Sequence, residues 1–175
     1  DYDGPLSFTD IADDLARVID AFAVNKAHIV GTSMGGRISL EFFANHPGRL
    51  ATLTLAGVHA SFGHFSPEKQ QAFVAARSKP LIEDGLEPAD IAPGAISRLA
   101  GPNVSDDARS RAIEAASRLH KHTYIKPVEA TAQFDREHVL GEIAVPTLVI
   151  GGEFDPLTPP DTTRTGAANV TAGDS

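Results

Sequence analysis

Cysteine and tryptophan are absent from this 175-residue chain, methionine occurs once and tyrosine twice. Without cysteine there is no disulfide framework and no thiolate metal site. That composition fits a reducing compartment, so a cytoplasmic location is expected. Positive charge is also scarce. Fifteen Lys and Arg against 23 Asp and Glu leave a net charge of −8, and no basic stripe with interleaved aromatics occurs, which argues against a nucleic-acid surface. No apolar run approaches the roughly 18 residues of a membrane span. Neither H-E-x-x-H nor a carboxylate–histidine cluster of usable spacing is present, and His120-Lys121-His122 alone is too little for a metal site. Neither metal nor cofactor is expected.

What is present is an ordinary single-domain length with 42% apolar residues, enough for a core. Ser7 to Ala23 predicts an amphipathic helix with Ser7 as cap, Asp10 in the capping-box position, and Ile11, Leu15, Val18, Ile19 and Phe22 on one face. Asp13, Asp14, Arg17 and Asp20 fall on its solvated side. Ala27 to Thr32 is a short buried strand, and Gly36 to Asn45 a helix stopped by His46-Pro47-Gly48. Leu50 to Val58 is a second buried strand, expected to be parallel. The order helix, strand, helix, strand defines an α/β architecture.

The texture changes over 61–142, where prolines and glycines punctuate short helical pieces and no strand is convincing. Ser105-Asp106-Asp107 is a good helix start, and Pro127 is expected to open another helix. Strand character returns at Val145 to Ile150 and runs into Gly151-Gly152-Glu153-Phe154-Asp155-Pro156. After Pro160 the residues are small and polar, and 161–175 is expected to be disordered.

The pentapeptide Gly31-Thr32-Ser33-Met34-Gly35, set between a buried strand and a helix, carries the functional signal. Alone it is also compatible with a plain Gly-rich turn. In its setting the G-x-S-x-G pattern resembles the nucleophile elbow of α/β-hydrolases. There a tight strand-to-helix turn lifts the serine hydroxyl clear, and small residues two before and two after let neighbouring backbone pass. Three segments carry the resemblance: 27–36, 38–58 and 145–160. G-x-S-M-G-G followed by a helix ending in His46-Pro47 is similar to 3-oxoadipate enol-lactonases and their esterase-like and haloperoxidase-like relatives.

The resemblance implies a partial α/β-hydrolase fold, a parallel sheet with flanking helices and a helical cap insertion. Residues 1–60 would be the first part of the core, 61–142 the cap, 143–160 the core strand and acid loop, and 161–175 the disordered tail. It implies Ser33 as the nucleophile, the Met34 N–H as one oxyanion donor, and Asp155 as the acid, with Glu153 a weaker candidate and an ordinary Asp-Pro turn the bland alternative. The substrate would be a small carboxylic ester or lactone, 3-oxoadipate enol-lactone being the named case. A serine on the elbow argues against the aspartate-nucleophile chemistry of haloalkane dehalogenases and epoxide hydrolases.

Two departures stand against the pattern. In this fold the triad runs Ser, acid, His, yet all seven histidines (28, 46, 59, 64, 120, 122 and 138) precede Asp155. The catalytic histidine is therefore unassigned, and His59 and His64 are the ones expected near a pocket. The strands that normally precede the elbow, with the second oxyanion donor, are also missing. The chain is accordingly expected to be an internal piece of a longer hydrolase, inactive by itself, and the rival reading is a non-catalytic binding protein. Phe62, Phe65, Phe73 and Phe134 suggest an apolar lid or, equally, core. Oligomeric state is unreadable.

Overall fold

The computed structural model describes residues 4–63 and 65–170. Three strands, β1 (Ala27–Thr32), β2 (Leu50–Ala56) and β3 (Thr147–Ile150), form one sheet in the order β1-β2-β3. Both pairings are parallel, with Val30 opposite Thr54 and Ala56 opposite Ile150. Helix α1 (Phe8–Ala21) precedes β1, and α2 (Met34–Asn45) joins β1 to β2. Four helices fall between β2 and β3: α3 (Pro67–Ile82), α4 (Pro88–Leu99), α5 (Asp106–Ser117) and α6 (Lys121–Ala132). Among these α3 packs on α6 and α4 on α5. Helix α7 (Pro160–Asn169) follows β3.

The core sits between the sheet and the α1–α2 pair. Alternation along the strands decides which side chains enter it. Ile29 and Gly31 of β1 face α2 together with Leu53 and Leu55, whereas Val30, Leu148 and Ile150 point to the opposite face and are exposed. Leu40 and Phe42 of α2 are fully buried, each contributing about 2 kcal/mol relative to exposure. Phe134, from the end of the helical stretch, packs against Phe8 of α1 with ring centroids 4.9 Å apart and planes tilted by 57°. It belongs to this core rather than to a lid.

Caps follow the sequence where serine precedes an acidic first turn. Ser7 accepts from the Asp10 N–H and Ser105 from the Ala108 N–H. Elsewhere the structure differs from expectation. The buried stripe of α1 is Phe8, Ala12, Ala16 and Ile19, while Val18 and Phe22 are 51% and 76% exposed. The spacing 8, 12, 16, 19 is a true helical face; weighting the larger side chains over alanine rotates the predicted stripe off it. Pro127 does not open a helix but lies inside α6, as Pro80 and Pro93 lie inside α3 and α4. Residues 160–169 are helical, not disordered, because α7 packs on β3 and on the 3₁₀ turn Glu137–Glu142. Residues 171–175 of the expected tail lie outside the described residues.

Candidate active site

The turn between β1 and α2 is built by close approach. The Ser33 N–H donates to the Ala56 carbonyl at 2.9 Å, and Ser33 then adopts φ 51°, ψ −114°. A positive φ at a residue with a Cβ is strained by about 1–3 kcal/mol and persists only where its surroundings enforce it. Two glycines permit the close packing around it. A Cβ on Gly31 would lie 2.5 Å from Ser39 Oγ and 2.6 Å from the Gly35 carbonyl oxygen, and one on Gly36 would lie 2.0 Å from Val58 Cγ2. Gly35, the last residue of the pentapeptide, meets nothing within 4 Å. The tight contacts therefore fall two residues before and three after the serine. Met34 is the first residue of α2, so its N–H has no intrahelical acceptor.

Asp155 stands five residues beyond β3. Its Oδ1 accepts from the backbone N–H groups of Leu157 (2.8 Å) and Thr158 (3.0 Å). That is the turn-making role open to any Asp in such a loop. Oδ2 instead faces Gly57, where a Cβ would sit 3.2 Å away. Gly57 has φ +57° and donates to the Ile150 carbonyl at 2.9 Å. Ser33 and Asp155 thus lie beyond the carboxyl ends of β1 and β3, on either side of the β2 exit at Ala56 and Gly57.

Ser33, Met34, Glu153 and Asp155 all line a single cavity of about 1280 Å³. His59, on the connection leaving β2, lines it too, tilted against Phe62 and Phe65 at 5.4 and 6.0 Å. The other described histidines do not line it. His28 bonds Thr52 Oγ1 at 2.9 Å, and His46 pairs with Asp13 at 2.8 Å. His120 sits at the N-cap position of α6 without a side-chain capping bond, His122 lies within that helix, and His138 lies in the turn 137–142; His64 falls outside the described residues. No cluster of three or more metal-ligating side chains exists among the described residues, and none of their helices is long and apolar enough to cross a membrane.

Three cations in this cavity escaped the sequence reading: Arg37 of α2 and Lys69 and Arg77 of α3. Arg37 is 8% exposed, and burial pushes its pKa down to about 10. The available signal was its place, four residues beyond Ser33 and just before the apolar run of α2.

A family model described as the alpha/beta hydrolase fold matches residues 3–170. The chain belongs to that family. RutD of Azorhizobium caulinodans, named by assignment a carbamate hydrolase, is 30% identical over 162 residues, covering 89% of this chain and 58% of that protein. The 3-oxoadipate enol-lactonase 1 of Acinetobacter baylyi is 26% identical over 151 residues, 85% of this chain and 54% of the other. An esterase from Thermogutta terrifontis superposes with a TM-score of 0.84 at 24% identity, over 96% of this chain and 62% of that one. The chain spans a little over half the length of the curated relatives it matches.

Proposed function

We propose that this chain carries the site of a serine hydrolase acting on small carboxylic esters or lactones through an acyl-enzyme. The observation that carries the reading is the strained Ser33 at the end of β1, lining one cavity with Asp155 at the end of β3. The names of the relatives, enol-lactonase and carbamate hydrolase, support a carbonyl of this general type.

In this reading Ser33 Oγ attacks the carbonyl carbon while its proton passes to an imidazole. The carbonyl oxygen, now an anion, accepts from the Met34 N–H at the start of α2, where the helix dipole also favours negative charge. The carbon–oxygen bond to the leaving group then breaks, and the imidazole returns the proton to the departing oxygen. Water repeats the sequence to release the acid. Asp155 holds and stabilises the imidazolium through the oxygen it does not commit to its own loop. Among the described residues His59 is the imidazole that lines the cavity, and it is the base to be tested.

Fluorophosphonate labelling of the purified chain and of Ser33→Ala tests the assignment. Labelling of the first and none of the second is expected; equal labelling of both overturns it. A second reading, binding without turnover, is favoured by the turn-making role of Asp155, whose Oδ1 accepts from the Leu157 and Thr158 N–H groups. Ester hydrolysis with and without added imidazole separates the two, since turnover that appears only with imidazole means the chain lacks its own base.

A further inference from the structure

Each of the three cations in the cavity sits over the ring of a phenylalanine that lines it as well. Arg37 Cζ is 5.1 Å from the Phe62 centroid, Lys69 Nζ 6.0 Å from that of Phe65, and Arg77 Cζ 3.7 Å from that of Phe73. Cation–ring attraction is worth about 0.5–2 kcal/mol; of the three, Arg77 also donates through Nη1 to the Phe73 carbonyl at 3.0 Å. Among the described residues no carboxylate comes within 4 Å of any of the three. This is unlike Glu41 or Lys121 elsewhere in the chain, which have ion partners.

Arg37 is the telling member. A guanidinium this deeply buried normally has every nitrogen bonded. Its Nε is instead buried with no hydrogen-bond partner. At physiological pH the group remains charged, since its pKa is lowered only to about 10. The chain has a net charge of −8, so acids were available to neutralise it. The cavity's own carboxylates, Glu153 and Asp155, instead enter from the β3 loop. The cavity is therefore lined by cations backed by rings on α2 and α3 and by carboxylates from the β3 loop.

From this, and resting on the hydrolase reading, we infer that the Arg37–Lys69–Arg77 wall recognises a free carboxylate on the substrate, so that the preferred esters or lactones are those whose acyl chain ends in a second carboxyl group. Arg37 lies one helical turn, about 6 Å of rise, beyond Ser33. A short dicarboxylic half-ester can thus present its ester carbonyl to the serine and its carboxylate to the guanidinium, whose planar fork takes a carboxylate in bidentate fashion. The rings line the methylene segment between them. A phosphate ester would suit the charge but not the three phenyl faces.

Calorimetric titration of Ser33→Ala with monomethyl glutarate and with dimethyl glutarate reads this without turnover. The monoanion is expected to bind at least tenfold more tightly than the diester, with the difference shrinking as salt is raised from about 20 to 500 mM. In Ser33→Ala/Arg37→Met the ratio is expected to fall below threefold, while Arg37→Lys retains part of it. Equal affinities for the two esters, binding of neither, or an undiminished ratio in Arg37→Met overturns the inference. The hydrolase reading fails separately. A labelled Ser33 without monoester preference sinks the carboxylate wall alone, and monoester preference without labelling leaves the wall standing and removes the nucleophile.

Discussion

Glu41 on α2 and Arg136, 95 residues later, form an ion pair with Nε–Oε2 at 2.8 Å and Nη2–Oε1 at 3.0 Å. Glu41 is 2% exposed and also accepts from Thr9 Oγ1 of α1 at 2.7 Å. One carboxylate thus ties the first helix, the elbow helix and the end of the helical stretch together. Removing one partner of a buried pair leaves an uncompensated charge and costs about 3–5 kcal/mol. Because Arg136 is one-third exposed, the lower end applies. Arg136→Met is expected to destabilise by about 3 kcal/mol, read from the midpoint of urea unfolding. A loss below about 1 kcal/mol would show that Thr9 and solvent suffice to hold Glu41.

Gly35 and Gly36 are neighbours with opposite demands. A methyl group on Gly36 collides with Val58, an overpacking worth about 1–3 kcal/mol. The same change at Gly35 meets open space and replaces a poor helix former, a gain of up to about 1 kcal/mol. Thermal unfolding of Gly36→Ala and Gly35→Ala should therefore shift in opposite directions, with Val58→Ala rescuing the first. Equal shifts would mean that the helix start does not press on the β2 exit.

The serine at φ 51° is held against its own preference. Ser33→Gly is expected to raise stability by about 1 kcal/mol, since glycine occupies that region freely. The same change should abolish fluorophosphonate labelling. A stability loss on this substitution would contradict the strain.

Thr163 of α7 has a buried hydroxyl with no partner, pressed against Gly151 at the end of β3. Replacing an unsatisfied hydroxyl by a methyl of similar shape removes a desolvation penalty. Thr163→Val is expected to stabilise by about 1 kcal/mol, whereas Gly151→Ala is expected to loosen α7 and expose it to proteolysis. Protection of α7 unchanged in Gly151→Ala would count against its docking on β3.

What the sequence disclosed follows from which forces leave a local trace. The strands and the elbow were legible because short apolar runs and glycines encode them within a few residues. The stripe of α1 lies off the expected one because Ala12 and Ala16 add little to the hydrophobic pattern yet are buried in the core. Helix α7 was invisible because threonine and glycine are poor helix formers and the segment carries no apolar stripe. Pro160 at its first position and Asp161 in its first turn are its only local start signals, and its packing on β3 and the 137–142 turn is a tertiary effect. The position of Asp155 at the cavity was legible from its place after the last strand. The cation wall was not, because residue type does not say which way α2 and α3 face.

The account rests most heavily on an acyl group transferred to Ser33. Acid quenching within seconds of mixing the chain with p-nitrophenyl acetate, followed by peptide mass mapping, tests this directly. The account predicts one added acetyl group on the peptide spanning Ala27–Arg37. Acetylation confined to another peptide, or none in the presence of added imidazole, would contradict it.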